Sequence, residues 1–416
     1  MSEYWGTTPL LPEIVHDLTQ YYTGLWWGSN PDFPLLAHTF TPQEQRQNGA
    51  RLDQLNSDLL AALKRHYKTR DERLIARDEL LAKAEDFAQT KLGFESRHIN
   101  IIRKYHLAEI IAEFSEQARS FDPEISGEDI YQASRNVWSM NFMQLLLRLP
   151  VQLTPAIFAY SMLYPYTDNY LDDPSISPKL KIDFNLRFNQ RLKGEPAQTA
   201  NSSEEKIWRL IEIVESQFDR QSCPQVYESL SAIQEAQTRS LSLIKSGADP
   251  YEIDVLGISI EKGGTAVLAD GYLVAGDLTE SQRSFMFGYG VFTQLMDDQE
   301  DVEHDMKAGL NTVFSLTAHH WPLDRVTNRT FHLAANVLNC MDNFEGAEIS
   351  TVKELFSRGI DLILIDAAGR NRSYYSWEYL SQLERYFPFR FYNLNHQRRR
   401  LQRYKITIGK LLELAV

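Results

Sequence analysis

Two groups of carboxylates stand out by type and spacing. The first lies in Tyr166 to Pro174, where Asp168 and Asp172 are four residues apart and Asp173 follows directly. On a helix that spacing puts two carboxylates on one face, about 6 Å apart along the axis. The second lies in Phe292 to Asp305, where Asp297, Asp301 and Asp305 recur every fourth residue, with Asp298 and Glu300 beside them. Two helical turns would then carry a stripe of three acids. Like charges at the end of an apolar helix repel and are costly to desolvate, so they call for a cation. Oxygen donors suit Mg²⁺, which keeps several waters and is commonly shared between one or two carboxylates and a phosphate. Two such acidic helices would hold a diphosphate through bridging metal and stabilise it as a leaving group. The plain alternative is a solvated acidic face, which needs no explanation.

The segments before these acids are strongly apolar: AIFAYSMLYPY before Asp168 and FMFGYGVFTQLM before Asp297. Tyr160, Tyr164, Phe287, Tyr289 and Phe292 stand one to two turns ahead of the acids and are candidates to line a cavity and stabilise a carbocation through their π faces; plain core packing is their other reading. Gly288 and Gly290 would let a neighbouring helix approach closely. A diphosphate also needs cations. Lys262 in ISIEKGGTAVL, Arg239 in EAQTRSLSLIK, Arg370 and Arg372 in GRNRSYY, and the Arg385-Tyr386 pair are the candidates, each against the reading of an ordinary surface cation.

Taken together these residues resemble the class I isoprenoid synthases: terpene cyclases, head-to-head synthases of the squalene and phytoene type, and chain-elongating prenyltransferases. The resemblance covers roughly residues 130–390. Asp168, Asn169, Asp172 and Asp173 look like the first aspartate-rich motif, with Asn169 where D-D-x-x-D has its second acid. Asp297, Asp301 and Asp305 look like the cyclases' three-ligand motif. Lys262 stands near the position of the elongating enzymes' diphosphate-binding lysine, with the hydroxyl of Thr265 displaced. Arg385-Tyr386 resembles the cyclases' C-terminal Arg-Tyr pair. The resemblance implies an all-α helical bundle with extra N-terminal helices, more than one Mg²⁺, a prenyl diphosphate substrate and no side chain named as general acid or base. It favours a cyclase, because Asp305 completes the stripe. Head-to-head coupling competes, since D-x-x-x-D occurs twice. Elongation is disfavoured, since no paired arginines follow the first motif before Arg187.

Two readings from other classes remain. A di-iron carboxylate bundle needs two Glu-x-x-His pairs; Glu13…His16 and Glu95…His98 have that spacing, but neither lies in an apolar segment. A non-catalytic helical protein would have little use for costly clustered charge.

The elements that must position these residues read as helices. Apolar spacing of about 3.6 residues marks Leu52–Arg65, Arg73–Ala88, Ile101–Arg119, Asp129–Leu149, Val151–Asp172, Glu204–Phe218, Gln225–Ile244, Ile253–Ala275, Ser281–Asp305, Val352–Ala367 and Arg398–Ala415. The chain has 416 residues, 43% of them hydrophobic and 24% charged, an ordinary globular mix. The first part is more polar, so residues 1–95 are expected to form an N-terminal helical layer and residues 96–416 the catalytic domain. Two cysteines exclude a disulfide scaffold and a cysteine-based zinc site. The net charge of −13 argues against a nucleic-acid partner. No secretory signal or membrane span is read, so a cytoplasmic location is expected. The segment from Arg385 to Lys410 is basic, which offers a peripheral contact with anionic lipid or pairing with the protein's own acids. A homodimer is a further expectation.

Overall fold

The computed structural model describes residues 10–172, 176–244 and 253–393; the side chains of residues 70, 168, 169, 171, 172 and 178 are not among those described. The described chain is all-α. In order, its helices are α1 (Leu11–Gly28), α2 (Pro42–Lys64), α3 (Arg70–Lys91), α4 (Ser96–Lys104), α5 (Leu107–Phe121), α6 (Gly127–Leu146), α7 (Pro155–Asp172), α8 (Pro178–Leu192), α9 (Ser202–Gln217), α10 (Pro224–Ser240), α11 (Val255–Ala275), α12 (Glu280–Glu300), α13 (Val302–Ala308), α14 (Val313–Ala318), α15 (Asp324–Asn339), α16 (Ile349–Arg370) and α17 (Trp377–Leu383). None of the described helices is long and apolar enough to cross a membrane.

Local sequence explains the starts. Thr41, Thr69, Ser126, Asn201, Asp254 and Thr279 each accept a backbone N–H from their own first turn, which satisfies one of the donors a helix start leaves open. Periodicity misses two breaks. The segment Ile101–Arg119 is divided between α4 and α5 by His106, which sits at φ 52° in the left-handed region. The stretch through the second acidic group is divided between α12 and α13 at Asp301, where φ is −96° and ψ 11°. Five helices, α1, α8, α14, α15 and α17, lie outside the segments read from periodicity. The expected helix at Arg398–Ala415 lies outside the described residues.

The chain forms two compact units that interleave in sequence. The first comprises Met1–Asp32 and Ile176–Val337, the second Phe33–Ser175 and Leu338–Val416. The polar segment up to residue 95 is therefore shared: α1 belongs to the first unit, α2 and α3 to the second.

In the second unit α2 and α3 form an antiparallel pair, α6 packs on α5 and α7, and α16 packs on α4. The start of α2 is strapped to the segment after α17. The Gln45 side-chain amide donates to the carbonyls of Glu384 (2.6 Å) and Phe387 (2.9 Å), and Asn48 donates to Pro388 at 3.1 Å.

In the first unit α11 and α12 form the tightest pair, with α10 and α1 against α11. They form a hairpin turned by Gly276, at φ 79°, and capped by Thr279. α11 is buried on nearly all sides. Gly263 faces the Gly290 backbone so closely that a Cβ on either would fall under 3.0 Å from the other's carbonyl oxygen. Two residues before Gly290, Gly288 makes room for the Tyr22 ring of α1. That ring stacks on Phe287 at 5.8 Å, and its hydroxyl donates to the Ser284 carbonyl at 2.7 Å. The close approach read from Gly288 and Gly290 is thus present, with α1 and α11 as the neighbours.

This contact predicts that Gly290→Ala lowers stability by about 2–3 kcal/mol in thermal unfolding, because backbone rather than a movable side chain must yield. Gly359→Ala, where a Cβ on α16 meets nothing within 4 Å, should be neutral or stabilise by about 0.5–1 kcal/mol. Equal effects would contradict the packing described.

Candidate functional site

The second acidic group lies in the first unit, where α12 passes into α13. The bend at Asp301 does not interrupt the hydrogen-bond ladder: the Asp301 N–H donates to the Asp297 carbonyl and the Asp305 N–H to the Asp301 carbonyl, each at 2.9 Å. The spacing of Asp297, Asp301 and Asp305 is therefore kept. Their surroundings differ. Asp297 and Asp301 are exposed, whereas Asp305 is only 5% exposed. Burial, with the Asp301 and Asp297 charges adding to it, pushes the Asp305 carboxyl up to about 6. His304 Nδ1, 3.8 Å from Asp305 Oδ1, acts in the opposite direction.

The most desolvated acid of the group is Asp298, which sequence reasoning treated only as a flanking residue. It is 5% exposed. Its Oδ1 accepts from Gln294 Nε2 at 2.8 Å, and its Oδ2 has no hydrogen-bond partner among the described residues. Burial pushes its carboxyl up to about 7; Gln294 and Lys262 oppose that shift, and Asp305 and Asp297 reinforce it. A signal for Asp298 was present in the sequence. Gly290, Gln294 and Asp298 are spaced by four, so they lie on the α12 face that meets α11. The absence of a side chain at Gly263 makes room for Gln294, whose Cβ would otherwise be struck. Lys262, next to Gly263, is half-buried and acts electrostatically on Asp298. The Thr265 hydroxyl donates to the Glu261 carbonyl at 2.7 Å, within its own helix.

The other predicted residues are placed as follows. The side chains of Asp168 and Asp172, on α7, and all of Asp173 lie outside the described residues. Tyr160 and Tyr164 are on α7 in the second unit, and Tyr164 is exposed. Phe287 and Phe292 are fully buried; Phe287 lies against Gly264 and Tyr22. Tyr289 meets Phe292 edge-on at 4.9 Å, and burial pushes its phenol up to about 12. Arg239 is ion-paired with Glu261. Both line a groove of about 760 Å³ along α1 and α10, which no residue of the acidic stripe lines. Arg370 pairs with Asp366 at 3.2 Å, and Arg372 is exposed. The Arg385 carbonyl accepts from the Phe40 N–H at 2.7 Å, and the Tyr386 ring lies 5.8 Å from that of Phe33. Arg370, Arg372, Arg385 and Tyr386 belong to the second unit, Arg239 to the first. Of the basic segment, Arg390 is tied to Glu384 at 2.9 Å; positions from 394 onward lie outside the described residues.

The Glu-x-x-His pairs have local partners. His98 Nδ1 accepts from the Glu95 N–H at 3.0 Å, capping α4, and His16 Nε2 lies 2.8 Å from Gln20 Nε2.

Among the described residues no three His, Cys, Asp or Glu side chains converge to hold a metal ion. The donor set on α12 and α13 nevertheless suits a hard cation. It is all oxygen, its acids repel one another, and it contains one buried carboxylate oxygen without a donor. Such a set could give a Mg²⁺ ion one or two carboxylates and leave the remaining positions to water and phosphate. No family model matches the chain, and no curated protein or solved structure matches it.

The raised carboxyls set a pH dependence. In the folded chain Asp298 keeps its proton up to about pH 7, whereas an unfolded Asp loses it near pH 4. The folded state therefore binds more protons across that window, and stability falls as pH rises through it. In metal-free protein Asp298→Asn should flatten that fall and stabilise at pH 8 by on the order of 2 kcal/mol. An unchanged pH profile in chemical denaturation would contradict the burial of this charge.

Proposed function

We propose that this chain is a Mg²⁺-dependent enzyme that ionises a prenyl diphosphate, in the manner of a class I terpene cyclase. The observation that carries the reading is the group Asp297, Asp298, Asp301 and Asp305. It sits at the end of an aromatic helix, with Lys262 close enough to act on Asp298. In an all-α chain, that combination of hard oxygen donors, a cation and an apolar interior suits a lipophilic diphosphate.

In this reading Asp297, Asp301 and Asp305 would hold metal, and Asp168, Asp172 and Asp173, whose side chains lie outside the described residues, would be the second ligand set. Mg²⁺ held by these carboxylates would supply positive charge that stabilises the diphosphate as the leaving group. Lys262 supplies an ammonium to a phosphate oxygen. Asp298, held by the Gln294 amide, would act electrostatically on that ammonium from the neighbouring helix, which the Gly263–Gly290 contact brings close. The C–O bond of the substrate breaks heterolytically, and its electron pair leaves with the diphosphate. The resulting allylic cation is then attacked by a double bond of its own chain or by water, and a proton passes to water or to the released diphosphate. No protein acid or base is required. Aromatic faces would stabilise the cation, with Tyr289 and Phe292 the candidates on this unit. The diphosphate-binding roles of Arg239, Arg370, Arg372 and Arg385-Tyr386 belong to the same proposal. For Arg239 the Glu261 ion pair must first open.

The test is incubation with Mg²⁺ and C10 to C35 prenyl diphosphates, singly and with isopentenyl diphosphate, following diphosphate release and organic products. A cyclic hydrocarbon or alcohol is expected from one substrate, with kcat/KM at least ~100-fold lower in Asp297→Ala/Asp301→Ala. Lys262→Ala should lose about 10–100-fold. A product of doubled chain length would assign head-to-head coupling instead. No release from any substrate would refute the proposal.

A further inference from the structure

The second unit holds a buried cation that the acidic group does not explain. Arg358, in the middle of α16, is 5% exposed. Its Nε donates at 2.8 Å to the carbonyl of Leu92, at the end of α3. Gly93, the next residue, has φ 80°, and a Cβ there would stand 3.2 Å from that Nε. The loop after α3 is therefore shaped to take the guanidinium against its backbone. Both terminal nitrogens, Nη1 and Nη2, are buried and have no hydrogen-bond partner among the described residues. Arginine stays charged at any ordinary pH, and a buried charge without a partner is strongly destabilising.

The groups around Arg358 do not neutralise it. Asp361, three residues on along α16, makes no hydrogen bond to it. Burial pushes the Asp361 carboxyl up to about 7, and Arg358 opposes that shift without cancelling it. Burial and the Arg358 charge hold the His38 imidazole below its ordinary value, with Glu95 acting against them. His38 belongs to the irregular segment before α2, as does Phe40, whose ring centroid lies 5.9 Å from the guanidinium carbon. An aromatic face attracts the cation but accepts no conventional hydrogen bond. Phe40 also lines a cavity of about 480 Å³, together with Arg385, Thr39 and Ser381. Arg385 is exposed and has no ion-pair partner among the described residues. The other arginine of that cavity, Arg390, is tied to the acid there, Glu384. Phe40 is thus the neighbour that the cavity and the buried guanidinium share.

A guanidinium presents its terminal nitrogens as a planar fork that matches a carboxylate or a phosphate. A carboxylate has two oxygens, and the fork alone would use both. A phosphate monoester has a third oxygen and, near neutral pH, close to two charges. Those suit the second cation, Arg385, and the hydroxyls of Thr39 and Ser381. The cavity exceeds a bare phosphate, which leaves room for the organic part of an ester. We infer that Arg358 and the cavity beside Phe40 form a binding site for a small phosphate monoester, entered by rotation of the Phe40 ring. The site needs no metal. It does not depend on the prenyl diphosphate reading, with which it shares only Arg385.

Isothermal titration of the full chain with phenyl phosphate near neutral pH tests it, with benzoate as the carboxylate counterpart. EDTA is present, so the acidic group of the first unit cannot hold the phosphate through a metal ion. Phenyl phosphate should bind at least ~10-fold more tightly than benzoate. Arg358→Leu should lose about 10-fold or more of that affinity, and Arg358→Lys, which keeps the charge without the fork, should also bind less tightly. Without ligand, Arg358→Leu should unfold at a temperature no lower than the wild type, because the unpaired charge is gone. Arg385→Gln, at an exposed position, should lose about 3–10-fold and keeps the test decisive if Arg358→Leu does not fold. Asp297→Ala/Asp301→Ala should bind like the wild type. Absence of phenyl phosphate binding by the wild type would overturn the inference and leave the two nitrogens to buried water. So would unchanged affinity in Arg358→Leu or Arg385→Gln, or benzoate binding as tight as that of phenyl phosphate. Loss of binding in Asp297→Ala/Asp301→Ala would also overturn it, since that puts the anion at the acidic group. If phenyl phosphate binds as described but no prenyl diphosphate is ionised, the site stands and the enzymatic reading fails.

Discussion

The first unit is organised around a conflict between packing and charge. Gly263 and Gly290 bring the backbones of α11 and α12 into direct contact. That contact takes water away from the α12 face carrying Gln294 and Asp298. The same helix end carries Asp297, Asp301 and Asp305. Close packing and clustered like charge oppose each other, and the carboxyls of Asp298 and Asp305 are raised as a result. A fold kept only for its stability would gain by replacing such a group with apolar side chains. Its presence is therefore the best physical argument that these acids meet something besides the protein.

The arrangement separates roles that a linear motif merges. Asp297 and Asp301 face water and can reach an incoming cation. Asp298 faces α11 and acts on Lys262. Asp305 lies between these two situations, buried but electrostatically coupled to both exposed acids. The bend at Asp301 turns the chain from α12 into α13 without breaking the ladder that fixes the four-residue spacing. An arrangement of this kind provides a few carboxylates at the edge of a dry interior, which suits a metal that retains water and shares a phosphate.

Much of this was legible in the residues. The all-α class followed from helical spacing and scarce turns. The close approach at Gly288 and Gly290 followed from glycines in an apolar helix, and the acidic stripe from its four-residue repeat. Other features depended on tertiary context. His106 breaks a continuous apolar pattern through a left-handed backbone that its residue type does not announce. α1 and α8 were missed: α8 carries apolar residues on two sides, whereas the stripe Leu11, Val15, Tyr22 and Trp26 of α1, which supplies Tyr22 to the Gly288 notch, has helical spacing and was legible. The importance of Asp298 over its neighbours depends on which face meets α11, and spacing alone does not say where the partner helix lies. The interleaving of the two units was not legible, because composition changes along the chain do not reveal which segments return to pack together.

The central claim is that the carboxylates of α12 and α13 await a divalent cation. Thermal unfolding at pH 8 with Mg²⁺, against NaCl at matched ionic strength, tests it most directly. The account predicts that Mg²⁺ raises the midpoint by several degrees, about 1–2 kcal/mol for a ligand near ten times its Kd. Most of that gain should vanish in Asp297→Asn/Asp301→Asn/Asp305→Asn. Identical midpoints in Mg²⁺ and NaCl, or a Mg²⁺ effect unchanged by the triple substitution, would contradict it.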